Sequence, residues 1–106
     1  MVARGEIWLA ALDPTVGSEI QKTRPCVVIS PSEMHDFLKT VIVAPMTSGS
    51  KAAPFRVAVT LQGKSGLILL DQVRTLDKTR LIKKMGEVSA DTLTSTLETL
   101  QEVFAE

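Results

Sequence analysis

The sequence of 106 residues has no tyrosine, one tryptophan, one histidine and one cysteine. A lone Cys26 excludes an intrachain disulfide framework and any zinc site made of several cysteines. A lone His35 excludes a site built from several histidines of one chain. No apolar run approaches the roughly 20 residues that a membrane-crossing helix needs, and the N-terminus lacks a signal-peptide pattern. A cytoplasmic protein with no membrane partner is therefore expected. Phosphate-loop glycine spacing is also missing: Gly17-Ser18 and Gly63-Lys64-Ser65-Gly66 read as ordinary turns. Net charge is absent too, with 12 Lys plus Arg against 12 Asp plus Glu.

What is present fits one domain over residues 1–106, with 44% hydrophobic residues, enough for a buried core. The zero charge is a cancellation. Residues 1–86 hold all 12 basic residues and 7 acids, a balance of +5, whereas residues 87–106 hold five acids and no Lys or Arg, −5. Such a division can separate a basic ligand face from an acidic outer helix. It is equally compatible with a solvated acidic helix beside a mixed surface.

The pattern predicts several short strands and a terminal helix. Gly5–Leu12 is short and apolar, and Asp13-Pro14-Thr15-Val16-Gly17-Ser18 is turn chemistry opening a long polar loop to Lys22. Pro25 biases Arg24 towards extended backbone, and Cys26–Ser30 reads as a second strand ending at Pro31. Residues 32–39 suggest a loop or a helical turn. A third strand spans Thr40–Pro45. Phe55–Leu61 alternates cleanly, with Phe55, Val57, Val59 and Leu61 on one face. A turn at 63–66 leads into one strand through Leu76, and a last strand covers 81–89 with Gly86 at a bulge. Ser89 reads as a helix N-cap, with Asp91 in the first turn. Leu93, Leu97, Leu100, Val103 and Phe104 form a helical stripe expected to pack on the sheet. The fold class is mainly β (α+β): a small antiparallel, partly closed β-barrel with a C-terminal α-helix.

Polar residues cluster at the ends of apolar strands, where a small barrel gathers its rim. Glu19 and Lys22 lie in the first loop, and Arg24 follows it. Thr47 and Ser48 follow the third strand. Asp71, Gln72 and Arg74 extend a later one. An arginine, a hydroxyl and a carboxylate together suit a phosphodiester: a planar fork for phosphate oxygens, a donor for developing charge, and a group to orient or deprotonate a sugar hydroxyl. Structural alternatives stand beside each. Arg24 can pair with Glu19 and Asp71 with Arg74, Thr47-Ser48 can be turn hydroxyls, and Trp8 and Cys26 suit the core. A single loop histidine such as His35 is more often a bystander than a catalyst.

Ordered blocks along nearly the whole chain carry a resemblance. They are Arg4-Gly5-Glu6-Ile7-Trp8, Asp13-Pro14-Thr15-Val16-Gly17-Ser18-Glu19, Thr23–Ser30, Val41–Ser48, Pro54-Phe55-Arg56-Val57 and Leu70–Asp77, with Gly86 before the helix. Together they resemble the MazF/PemK/Kid toxins of type II toxin–antitoxin systems, and Gly17-Ser18-Glu19 is closest to the MazF branch. The resemblance implies an SH3-like barrel, a homodimer, and a metal-independent, cofactor-free endoribonuclease that cuts single-stranded mRNA at specific sequences. It implies attack by the ribose 2′-OH, leaving a 2′,3′-cyclic phosphate and a 5′-OH. It also implies a MazE-like antitoxin whose acidic C-terminal tail blocks the site.

By position, Arg24 and Thr47 match catalytic residues of the family, and Glu19 an acidic loop residue that some members use. Lys22, Ser48, Asp71, Gln72 and Arg74 are implied RNA contacts. Asp71 matches an aspartate active in the Kid branch, but Leu69 stands where that branch has an arginine. Two other functions share such a barrel: a non-catalytic RNA- or peptide-binding module, and a CcdB-like gyrase poison. The latter ends in Trp-Gly-Ile, whereas this chain ends Val103-Phe104-Ala105-Glu106.

Overall fold

A computed structural model describes residues 1–49 and 51–106. Seven strands follow one another: β1 (Glu6–Ala11), β2 (Thr23–Val28), β3 (Thr40–Thr47), β4 (Arg56–Leu61), β5 (Lys64–Leu69), β6 (Arg74–Asp77) and β7 (Leu81–Glu87). A four-residue helix α1 (Ser32–His35) precedes β3, and α2 (Ala90–Phe104) closes the order. All pairings are antiparallel, along the path β4-β5-β3-β2-β1-β7, with β6 added to β3. The result is a curled half-barrel of 33 × 32 × 27 Å, and α2 packs against β4 and the 3₁₀ turn Leu70–Gln72.

The long apolar runs have a simple cause. Val27 belongs to one buried cluster, with Ile7, Ala44, Met46, Val59, Ile68 and Leu70. Its neighbours Cys26 and Val28 belong to another, with Ala10, Leu12, Val41, Val43 and Leu76. Both faces of β2 and β3 are covered, so these strands need no polar alternation. Burial pushes the Cys26 thiol up to about 12. Trp8 packs at the edge of the second cluster, and its indole N–H donates to Glu6 Oε1 at 3.0 Å.

Several boundaries differ from the sequence expectations. β2 begins at Thr23 and contains Pro25, which pairs with Leu9. Pro25 is tolerated because β3 joins β2 only from Cys26 onward, so no ladder partner faces it on that edge. β3 runs through Pro45 to Thr47. One edge pairs residues 40–43 with β6 and residues 46–47 with β5, and Pro45 falls in the gap. That change of partner also breaks the expected continuous strand through Leu76 into β5, the 3₁₀ turn and β6. The β4–β5 turn is Gln62-Gly63, shorter than expected, with φ of 51° and 80°. Two successive positive φ values mark a two-residue hairpin of the twist-matched kind.

Ser89 caps α2 as expected, its hydroxyl accepting the Thr92 N–H at 3.1 Å. The stripe is only partly buried. Thr96 is the fully buried residue of α2, Leu93, Leu97 and Leu100 are half-buried, and Val103 and Phe104 are 42% and 76% exposed. The helix outruns the short sheet beneath it, so its last turn has nothing to cover.

Candidate active site

The β2–β3 register, if continued past its last pair, would bring Arg24 opposite Thr47. Val28 pairs with Val43, Val27 with Ala44 and Cys26 with Pro45; two further steps reach Arg24 and Thr47. There the β2–β3 ladder has ended at Cys26 and Pro45, while the opposite edge of β3 pairs Thr47 with Leu67 of β5. Beyond that last pair lies a cleft of about 300 Å³, lined by the start of β2, the end of β3, the β4–β5 hairpin and Met85 of β7. Arg24, Thr47, Ser48 and Lys64 supply polar groups to its wall, over an apolar floor that includes Met46 and Leu61. With Ser65, which also lines the cleft, two cations and three hydroxyls above an apolar surface suit an anionic ligand with a flat apolar part, such as a nucleotide.

Arg24 is half-buried and donates from Nε to the Gln21 carbonyl at 3.2 Å. Among the described residues it makes no ion pair with Glu19 or any other acid. Its terminal guanidinium nitrogens remain available to a ligand. Thr47 Oγ1 accepts the Gly49 N–H at 3.3 Å, which leaves its hydroxyl proton free to donate. Gly66 presses on the same spot from β5: a Cβ there would lie 3.0 Å from the Thr47 carbonyl oxygen.

The other expected residues do not join this cleft. Glu19 lines a separate depression with Ser18, Asp71, Gln72 and Arg74. Its carboxylate accepts the Val16 N–H at 2.7 Å within its own loop. Lys22 is exposed and lines neither hollow; its φ is 71°, and its carbonyl accepts the Leu12 N–H at 2.9 Å, closing the loop base. Arg74 is not the partner of Asp71; it donates to the Leu12 carbonyl at 3.1 Å. Gln72 accepts the Ile20 N–H at 2.6 Å.

Asp71 instead takes Arg56 of β4 through two bonds, at 3.2 and 3.1 Å. The Arg56 guanidinium holds the Asp71 carboxyl below its ordinary range, and Asp71 in turn raises Arg56. Arg56 was not singled out in the sequence, because its partner lies 15 residues away. Lys64, Ser65 and Gly66, expected as a turn, instead open β5 and line the cleft. His35 is buried and remote from it: Nδ1 meets the Val2 carbonyl at 2.8 Å, and Nε2 meets the Ser30 hydroxyl at 2.6 Å. The carbonyl can only accept, so Nδ1 carries the proton, and the imidazole is a structural latch.

Among the described residues no group of three or more His, Cys, Asp or Glu side chains could hold a metal ion. No described helix is long and apolar enough to cross a membrane.

Residues 3–104 match the family described as PemK-like, MazF-like toxin of type II toxin-antitoxin system. The chain belongs to this family. The chain is 37% identical to endoribonuclease PemK of Escherichia coli over 107 residues, 95% of this chain and 80% of that protein. It is 40% identical to endoribonuclease MazF of Staphylococcus epidermidis over 95 residues, 84% of this chain and 79% of that one. The crystal structure of MazF (Form-I) from Deinococcus radiodurans superposes with a TM-score of 0.88 at 28% identity, covering 99% of this chain and 97% of that chain. A chain of the crystal structure of MazE-MazF (Form-I) from the same organism superposes with a TM-score of 0.76 at 28% identity, covering 99% of this chain and 97% of that chain. The half-barrel with its C-terminal helix is thus the toxin fold of this family, and this member carries Arg24 and Thr47 just beyond the end of the β2–β3 ladder.

Proposed function

We propose that residues 1–106 act as one toxin domain, a sequence-specific, metal-independent endoribonuclease that cleaves single-stranded RNA, chiefly mRNA, in the cytoplasm. The observation that carries this is one open cleft whose wall holds both Arg24 and Thr47, with a second cation, Lys64. The ribose 2′-OH attacks the adjacent phosphorus, a P–O bond forms, and the bond to the 5′-oxygen breaks. The products are a 2′,3′-cyclic phosphate and a 5′-OH, with the proton of the 2′-OH lost and one gained by the leaving oxygen. Arg24 forks onto the phosphorane oxygens, where negative charge accumulates. The Thr47 hydroxyl donates to the same phosphate, and Ser48 lies beside it to bind the chain. Glu19 accepts the 2′-OH proton only if the first loop moves and its bond to Val16 breaks.

The partners follow from the same surface. MazF structures titled as MazE–MazF complexes are among the structural relatives. An antitoxin of that kind, with an acidic tail, would meet Arg24 and Lys64 in the cleft, so its affinity falls with added salt. Exposed Val103 and Phe104 leave apolar surface at the end of α2 for a second copy of the chain in a homodimer.

The deciding experiment uses one RNA oligonucleotide containing a mapped cleavage site and its twin with a single 2′-deoxyribose at that site, both in EDTA. The RNA is cut and the twin is not. Cleavage of the twin rules out 2′-OH attack; loss of RNA cleavage in EDTA rules out the metal-independent route.

A further inference from the structure

The 3₁₀ turn Leu70–Gln72 reaches the loop that leads into β2 and the loop that follows β3. Gln72 Oε1 accepts the Ile20 N–H at 2.6 Å, and Nε2 reaches the Ser18 carbonyl at 3.5 Å. Asp71, one residue earlier, holds Arg56 by two bonds, and Arg56 Nη1 donates to the Lys51 carbonyl at 3.2 Å. The first of these loops ends at Arg24; the second begins after Thr47. The root of the first loop has its own fastening. Arg74 donates to Leu12 and Arg80 to the carbonyls of Ala11 and Asp13, at 3.1 and 2.6 Å. Residues 18–20, beyond that root, are tied by hydrogen bonds to a distant part of the chain through Gln72.

We infer that Gln72 and Asp71 are positioning residues that decide which RNA sequences are cut, by fixing the two loops relative to Arg24 and Thr47. This rests on the RNA-cleaving reading and deepens it. Contacts to phosphate, such as that of Arg24, carry no sequence information. Discrimination of single-stranded RNA comes from bases that stack and hydrogen-bond against the flanking surface. The loops present Val16, Ser18 and Glu19 on one side and Lys51 and Phe55 on the other, all exposed. Gln72 and Asp71 have their polar atoms committed to main chain and to Arg56, so they act through the loops and not on the bases.

The test compares wild type, Gln72→Met, which keeps the side-chain length and loses both bonds, and Gln72→Glu, which keeps the acceptor for Ile20. Each digests a long RNA of mixed sequence, all new 5′ ends are sequenced, and exchange of the Ile20 amide is followed by NMR. In Gln72→Met the Ile20 amide exchanges faster, and the ratio of cleavage at preferred to disfavoured sites falls about tenfold, a size one lost hydrogen bond can produce. Gln72→Glu retains the wild-type spectrum and slow exchange.

An unchanged spectrum from Gln72→Met overturns the inference. So does equal slowing at every site, which makes Gln72 a direct contact. Should Gln72→Met fail to fold, Asp71→Ala takes its place: release of Arg56 alters the spectrum, and an unaltered one is decisive against the inference. Wild type that cuts no RNA removes the function itself, whereas a cutting wild type with insensitive variants removes only this inference.

Discussion

Arg24→Ala separates chemistry from stability better than any other single change. Among the described residues the Arg24 side chain makes one hydrogen bond, to the Gln21 carbonyl at 3.2 Å, and no ion pair. Losing such a bond costs about 1 kcal/mol. In a domain of this size that lowers Tm by roughly 4–8 °C. In the proposed reaction the same side chain would supply a planar fork to the phosphorane oxygens. Removing one preorganised charge-stabilising group typically lowers kcat by about 10²–10³-fold, or roughly 3–4 kcal/mol.

The expectation is therefore a loss of activity several times larger, in free energy, than the loss of stability. The assay is multiple-turnover cleavage of a fluorophore–quencher RNA, run beside a thermal melt of the same preparation. Arg24→Lys falls between the two proteins, because it keeps the charge and loses the fork. Undiminished cleavage by Arg24→Ala would refute the assignment. A collapse of Tm that matches the loss of rate would make the residue structural.

Three further outcomes follow from the geometry. Because Arg56 depresses the Asp71 pKa, the pair stabilises the folded state fully above the unfolded carboxyl value of about 4 and loses that effect as pH falls through the lower folded value. Urea melts from pH 7 down to pH 3 should show wild type and Asp71→Asn converging in acid; a constant gap contradicts the pairing. Cys26, buried and with its thiol pushed up to about 12, should not react with a disulfide reagent at pH 8 until denaturant is added. Prompt labelling of the native protein would show β2 to be open. Gly66→Ala places a Cβ 3.0 Å from the Thr47 carbonyl, so β3 must yield by tenths of an ångström. We expect about 1–3 kcal/mol of destabilisation and a lower kcat at unchanged KM; a wild-type kcat would show that Thr47 tolerates the shift.

The strands legible in the sequence were those with a local cause. β1, β3 and β4 announce themselves by apolar content or alternation, and Ser89 with Asp91 marks the start of α2. The break after Leu69 has no local cause: Leu67-Ile68-Leu69-Leu70 is uniformly apolar, and the chain turns there because β3 offers β5 and β6 separate stretches of one edge. Phe104 keeps helical period yet stays exposed, since periodicity says nothing of where the underlying sheet ends.

Around the site the same division holds. Arg24 and Thr47 sit at strand ends flanked by recognisable blocks. Gln72 and Arg74 look alike in a sequence whether or not they hold their own main chain, and the hydrogen bonds show that they do. Arg56 stood in the alternating run Phe55–Leu61 as an outward residue, its partner on a turn that the sequence does not show.

β3 is paired with β2, β5 and β6 at once, so it lies at the centre of the half-barrel's cooperative unit. The middle of β3, which leads to Thr47, cannot be released without opening that unit, and the buried Val43 amide should exchange only through near-global unfolding. The loops on either side hang from a few polar bonds and can change residues with little consequence for the strands. A scaffold divided in this way lets the cutting chemistry persist while target preference drifts from one descendant to the next. Diversification of such toxins would then be cheap in stability and would concentrate in residues 13–22 and 51–55 and in the turn that clasps them.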